Sequence, residues 1–323
     1  MKKNIMMTVL TIGIGLSSCS TRFAVTSGEE NLNSLTKITD YEDPCIYPNG
    51  GDNGKDLFFA VFEKKKYYNI YKKENVLTNA ISQKTSGKNY NWAPSYNTTT
   101  DRIAFRYYGE ESLNSDIYTM SASRGKTLTQ ITETQQSFED NPCFSKDGKL
   151  LVFNKVSLKY ANKVGLFLVV TPTIIEYSEI WVKNIETGEL TLLGSGYQPK
   201  FSPDGKTIAY VKYATDVKSS SIWTMDLEGT NQVQITDAKK GYALNPAWSP
   251  DGKKLIFQLI KKGKKDADIY SIDINGENLK QYTSNKSYDA TPYWSSDNYI
   301  YFTSDRGNKK GEYQIWRFQI IEE

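Results

Sequence analysis

Proline recurs along this chain at a nearly fixed interval, at positions 44, 94, 142, 199, 246 and 292, each followed two residues later by a bulky side chain. The steps are 50, 48, 57, 47 and 46 residues. Periods of this size mark propellers and solenoids, whose repeats are supersecondary units that bury their apolar faces only against one another.

Each copy holds material for four strands. The first is the Pro-x-bulky segment and the second an apolar run, such as Ile103-Ala104-Phe105 or Leu255-Ile256-Phe257. The third is a polar-Ile-aromatic triplet that occurs in every copy: Asn69-Ile70-Tyr71, Asp116-Ile117-Tyr118, Glu179-Ile180-Trp181, Ser221-Ile222-Trp223, Asp268-Ile269-Tyr270 and Gln314-Ile315-Trp316. β-Branched and aromatic residues suit a pleated surface packed against a neighbour. The fourth ends in forms such as Gln130-Ile131-Thr132 or Gln234-Ile235-Thr236. Between first and second strands, Pro203-Asp204-Gly205 and Pro250-Asp251-Gly252 suit a three-residue hairpin in which glycine takes the left-handed position. These aspartates read as turn chemistry, because no Asp-x-Asp-x-Asp ladder surrounds them.

The last copy ends after its third strand, at Ile315-Trp316-Arg317-Phe318, whereas Leu35 to Thr39 reads as a fourth strand without a sheet of its own. Joining the two removes both loose edges. The expected fold is all-β: a six-bladed β-propeller of four-stranded antiparallel blades over residues 35–323, the last blade closed by the N-terminal strand.

The boxes Phe201-Ser202-Pro203-Asp204-Gly205-Lys206 and Ala247-Trp248-Ser249-Pro250-Asp251-Gly252-Lys253, the run Phe302 to Gly307 and the recurring Asp-Ile-Tyr resemble the TolB-like propeller repeats, relatives of WD repeats. The resemblance spans nearly all of residues 35–323. It departs from TolB in that no α/β domain is expected ahead of the repeats.

At the amino terminus, Lys2 and Lys3 precede an apolar run from Ile5 to Leu16 of signal-peptide length. Leu16-Ser17-Ser18-Cys19 resembles the bacterial lipobox, which makes residues 1–18 a lipoprotein signal peptide, Cys19 the lipidated residue and 19–34 a flexible tether. Localisation in the cell envelope follows, with Ser20 after the cysteine pointing by analogy to the outer membrane, facing the periplasm. The anchor is the expected membrane contact.

Loss of Lys2 and Lys3 with the signal lowers the formal net charge from +3 to about +1. Runs such as Lys64-Lys65-Lys66 and Lys261 to Lys265 fall where strands should connect, so they read as solvated loop tips and no nucleic-acid partner is expected. The chain has no histidine, which eliminates Ser-His-Asp and Cys-His nucleophile arrangements and His-rich metal sites. A carboxylate pair remains open to acid-base work at Glu42-Asp43 or Glu139-Asp140, but the expectation is no enzyme, no catalytic residue, no metal and no cofactor. Cys45 and Cys143 occupy the same place in blades one and three, two blade steps apart, and are expected as small buried hydrophobes rather than a disulfide.

Connections from fourth to first strand and from second to third share one mouth of a propeller. The residues ahead of the prolines should line it: Glu42, Asp43, Asn91, Trp92, Asp140, Asn141, Tyr197, Gln198, Tyr242, Asn245, Tyr288 and Asp289. Such a mix makes either a recognition rim or ordinary loop polars with tyrosines packed between blades. On the same face, Phe153 and Ile180 are 27 residues apart where Phe105 and Ile117 are 12 apart, and the extra segment includes the apolar Leu166, Phe167, Leu168, Val169 and Val170. It is either a docking surface or an extension packed on its own blade. Three functions follow in order: an envelope protein-interaction scaffold, a receptor for a glycan or small ligand, and a histidine-free polysaccharide-cleaving enzyme.

Overall fold

The computed structural model describes residues 32, 34–50, 55–109, 114–125, 127–134, 136–157, 177–216 and 218–320. The N-terminal strand β1 (Thr36–Lys37) precedes copy one, which comprises β2 (Cys45–Gly50), β3 (Asp56–Glu63), β4 (Tyr67–Glu74) and β5 (Ile81–Gln83). Copy two is β6 (Trp92–Asn97), β7 (Arg102–Tyr107), β8 (Asp116–Ser121) and β9 (Thr129–Gln130). Copy three is β10 (Ser137–Phe144), β11 (Leu150–Ser157), β12 (Ser178–Asn184) and β13 (Leu190–Ser195), and copy four is β14 (Tyr197–Phe201), β15 (Thr207–Tyr213), β16 (Ser220–Asp226) and β17 (Val233–Gln234). Copy five is β18 (Gly241–Trp248), β19 (Lys254–Lys261), β20 (Asp268–Asp273) and β21 (Lys280–Gln281); copy six is β22 (Ala290–Trp294), β23 (Tyr299–Ser304) and β24 (Gln314–Gln319).

Strands within each copy pair antiparallel in chain order, and β1 supplies the outer strand of copy six, with Thr36 opposite Arg317 and Lys37 opposite Trp316. A side-chain bond repeats at the outer edge of five of the six copies. The isoleucine amide of the third-strand triplet donates to a fourth-strand threonine hydroxyl: Ile70 to Thr85, Ile117 to Thr132, Ile222 to Thr236 and Ile269 to Thr283, at 2.8 to 2.9 Å. In copy six, Ile315 donates to Thr39 at 2.8 Å, across 276 positions of sequence. The terminal threonine of the Gln-Ile-Thr motif is therefore the lock between third and fourth strands.

Successive copies are stitched by another repeated bond. Asn91 N donates to Tyr68 O, Glu139 N to Ser115 O, Gly196 N to Ser178 O and Asp289 N to Ala267 O, at 2.8 to 3.0 Å. Cys45 N donates to Tyr313 O at 2.8 Å, so the same bond links copy six to copy one. Apolar clusters lie between neighbouring sheets. Phe58 and Ile70 pack with Ile103 and Phe105, for example, and Leu57, Phe59 and Val61 pack with Tyr301 and Ile315.

The structure corrects the register of copy one. In every other copy the residue before the recurring proline has positive φ: Ala93 51°, Asn141 53°, Gln198 54°, Asn245 52° and Thr291 47°. The matching residue in copy one is Tyr47 at 56°, so the equivalent proline is Pro48, not Pro44. Each first strand has a register shift here. This bulge breaks the period-two alternation on which reading a strand's faces depends.

The Asp-Gly turns behave as expected. Ser145, Ser202 and Ser249 hydroxyls donate to Asp147, Asp204 and Asp251 at 2.5 to 2.7 Å, and Gly148, Gly205 and Gly252 sit at φ of 71 to 73°. The serine bond holds the Asp147 and Asp204 carboxyls below their ordinary range.

Candidate functional site

The first strands converge on two layers of side chains. The residues with positive φ form a belt of hydrogen bonds that passes from copy to copy. Asn141 Nδ2 and Gln198 N both donate to Asn154 Oδ1 (3.0 and 3.3 Å), Gln198 Nε2 donates to Asn245 Oδ1 (2.6 Å), and Asn245 Nδ2 donates to Gln258 Oε1 (2.8 Å). Thr291 N also donates to Gln258 Oε1, the Thr291 and Thr303 hydroxyls share a bond of 2.6 Å, and Tyr47 N donates to Thr303 Oγ1. Such a belt satisfies the polar groups that the bulge pulls out of the ladder.

On one side of the belt lies an aromatic mouth. Arg106 on β7 is buried at 4% exposure, its guanidinium 4.4 Å from the Trp92 ring centroid and 5.7 Å from that of Phe138. Asp140 pairs with Arg106 NH1 at 3.3 Å and accepts the Trp92 indole N–H at 3.0 Å, while Arg106 Nε has no partner. Around this centre gather tyrosines from other copies. Burial pushes the Tyr47 and Tyr197 hydroxyls well above their ordinary range, the nearby Asp140 carboxylate adds to the shift, and Arg106 opposes it. Tyr213 is raised in the same way, with Tyr288, Tyr242 and Tyr47 beside it. Tyr288 and Tyr313 meet edge to face at 6.3 Å between centroids. The Tyr47, Tyr197, Tyr213, Tyr288 and Tyr313 phenols, all raised by burial, stay neutral at physiological pH and offer O–H groups on apolar rings.

Of the residues expected at the rim, Trp92, Asp140, Tyr197, Tyr242 and Tyr288 are half-buried in or beside this mouth, and Asn141, Gln198 and Asn245 form the belt beneath. Asn91 and Asp289 lie elsewhere. Asn91 is buried between copies and donates to Asn69, and Asp289 is fully buried and bonds Arg306 at 2.5 Å and Ser304 at 2.5 Å. Glu42 is exposed, while Asp43 accepts the Lys64 amide at 3.0 Å. Glu139 and Asp140 do not act together: successive strand residues face opposite ways. Glu139 is buried toward copy two, accepting from Thr134 at 2.7 Å, and its carboxyl is raised chiefly by burial. Among the described residues no three His, Cys, Asp or Glu side chains gather as metal ligands.

Cys45 is fully buried, its thiol pushed up to about 12 by burial, and both it and Cys143 are free. Cys143 departs from expectation: it is half-exposed and lines a cavity. Cys19 and Leu166 to Val170 lie outside the described residues. Tyr47, Arg106, Tyr213 and Tyr313 were not among the residues expected from sequence. The step of 46 residues from Pro48 to Pro94, closer to its neighbours than the 50 from Pro44, is the signal that locates Tyr47.

On the other side of the belt is a cavity of about 370 Å³ that opens among the first-to-second-strand turns, with Ser202, Pro203, Ser249 and Pro250 at its lip.

Residues 192–322 match the model of the TolB beta propeller domain. That stretch is similar to the TolB-like β-propeller repeats. Among solved structures, a protein assigned as TolB from Agrobacterium tumefaciens aligns with a TM-score of 0.62 at 17% identity, over 88% of this chain and 93% of that one. TolB from Acinetobacter baumannii aligns at 0.60 and 17% identity over 84% of this chain, which spans 65% of its length. The oligogalacturonate lyase from Vibrio parahaemolyticus aligns at 0.60 and 16% identity over 90% of this chain and 96% of that one. At such identities the likeness speaks for the TolB-like fold alone, a platform that carries unrelated activities. A search of curated proteins finds no significant match.

Proposed function

We propose that this protein is a non-enzymatic, lipid-anchored component of the bacterial cell envelope: a six-bladed propeller over residues 35–323, closed by its N-terminal strand, that binds a partner protein through the aromatic mouth. Residues 1–18 serve as signal peptide, Cys19 carries the lipid, and 19–34 act as tether, holding the protein at the outer membrane facing the periplasm. The observation that carries the binding function is the Arg106–Trp92–Asp140 centre within its surround of tyrosines. Tyr, Trp and Arg dominate the energetics of protein interfaces, and a buried guanidinium with one N–H unpartnered has a donor in reserve for an incoming carbonyl or carboxylate. Neutral phenols on both sides favour polar contacts without a charge requirement.

Co-purification from solubilised membranes tests this. A partner retained by the wild type and lost on Trp92→Ala, with the thermal transition of the variant close to wild type, supports the reading; equal retention by both overturns it. Cys19→Ala should release the protein from the membrane fraction. A glycan or small ligand is the second occupant, favoured by the sugar-compatible rings and hydroxyls of Tyr47, Tyr197 and Tyr288. Glycan-array binding abolished by Trp92→Ala distinguishes it.

A further inference from the structure

The cavity beyond the belt faces the mouth opposite the aromatic one, and its composition is one-sided. Among the described residues its lining includes Lys146 and Lys200 and not one aspartate or glutamate. Neither lysine pairs with a carboxylate among the described residues, and Lys200 is half-buried.

The residue after each recurring proline lies in this lining, giving a layer of Asn49, Ser95, Cys143, Lys200, Ala247 and Tyr293, one from each copy. Four consecutive members carry donors. Asn49 Oδ1 accepts the Tyr96 amide at 2.8 Å, which fixes the side-chain flip and leaves its Nδ2 donor for the cavity. Ser95, only 5% exposed, accepts the Phe144 amide at 3.3 Å through its hydroxyl oxygen, so its own proton is available to give. Cys143, whose thiol donates to Phe144 O at 3.6 Å, and Lys200 continue the arc. A half-ring of polar side chains ending in a lysine, in a concave site with no carboxylate in its lining among the described residues, matches a small anion.

We propose that this cavity binds a small anionic ligand through a carboxylate or phosphate group seated between Lys200 and the Asn49–Ser95 donors. This site is separate from the aromatic mouth: the lining shares Tyr47 with it but omits Trp92, Arg106, Tyr197, Tyr213 and Tyr288. Partner binding and anion binding can therefore succeed or fail independently.

Cys143 is a reporter inside the cavity, with fully buried Cys45 as an unreactive control in the same chain. The full-length protein in detergent is alkylated with iodoacetamide at constant ionic strength, with inorganic phosphate or acetate as probe, and modification of the Cys143 peptide is followed by mass spectrometry. The expected result is saturable slowing by at least one of the two anions. Slowing by phosphate alone marks a phosphate-bearing ligand, by acetate alone a carboxylate. Lys200→Met should raise the half-protecting concentration by about tenfold or more, as expected for loss of one charge-assisted bond, whereas Lys200→Arg should keep it within a few-fold of wild type. Lys146→Met, at an exposed position, gives a second variant that leaves the fold undisturbed and should weaken protection in the same direction. No slowing by either anion in the wild type, or protection unchanged in both Lys200→Met and Lys146→Met, overturns the proposal.

Discussion

Replacing Thr39 by valine removes one hydroxyl at the place where the two ends of the chain meet. Thr39 is 1% exposed, and its Oγ1 accepts the amide of fully buried Ile315 at 2.8 Å. Valine has the same shape, so no cavity opens, and the variant isolates the cost of a buried N–H left without a partner. That cost is about 1–3 kcal/mol. For a domain of this size, each kcal/mol moves the midpoint by about 2 °C, so Tm should fall by about 2–6 °C. The comparison that gives the experiment its force is Thr236→Val, which removes the same bond from copy four, to Ile222 at 2.8 Å. If β1 truly completes the last sheet, the two variants should lose similar stability in urea, although one residue is near the start of the chain and the other deep within it. Thr39→Ser should recover most of the loss. A wild-type midpoint for Thr39→Val beside a destabilised Thr236→Val would refute the head-to-tail pairing.

Three further outcomes are expected. Because burial raises the Glu139 carboxyl above its unfolded value, the native state holds that proton more tightly, and stability falls as pH rises through the raised folded value. Glu139→Gln should therefore gain on the wild type between mildly acid and neutral pH in urea titrations, and a constant difference across that range would contradict the assignment. Gly196→Ala should cost about 1–3 kcal/mol, because a Cβ there would meet the Tyr210 ring at 2.5 Å and Ile180 at 2.6 Å in a packed interface, measurable as a lower urea midpoint. Asp289→Ala should destabilise by about 3–5 kcal/mol, since it strands Arg306, itself 3% exposed, without its carboxylate; a loss below 1 kcal/mol would count against that pair.

Much of the strand framework was legible in sequence because its signals are local. The Ile-aromatic triplets mark buried third strands, the Ser-Pro-Asp-Gly boxes mark turns, and the unmatched Lys37-Ile38-Thr39 reads as a fourth strand. What misled was the bulge. Pro44 has the bulky Ile46 two residues on whereas Pro48 has Gly50, so the side-chain pattern points to Pro44, and the positive φ of Tyr47 shows that Pro48 starts the layer facing the centre. The candidate site was legible in part for the same reason. Trp92, Asp140 and Tyr197 stand before their prolines and were found, whereas Arg106 and Tyr213 reach the mouth from second strands and Tyr313 from the connection just before a third strand, whose contribution no proline marks. Asn91 and Asp289 stand one residue deeper than Trp92 and Ala290, which turns them toward the neighbouring sheet. Cys143 follows its proline and faces the centre, an orientation that the alternation of an unbulged strand would not give.

Thr36 and Arg317 lie side by side, so the polypeptide enters and leaves this fold at nearly the same point. A short peptide could bridge that gap, and a gene reopened at the Pro203–Gly205 turn would encode the same set of contacts in a different order. In such a permutant the former ends become an ordinary hairpin, and the seam moves to copy four.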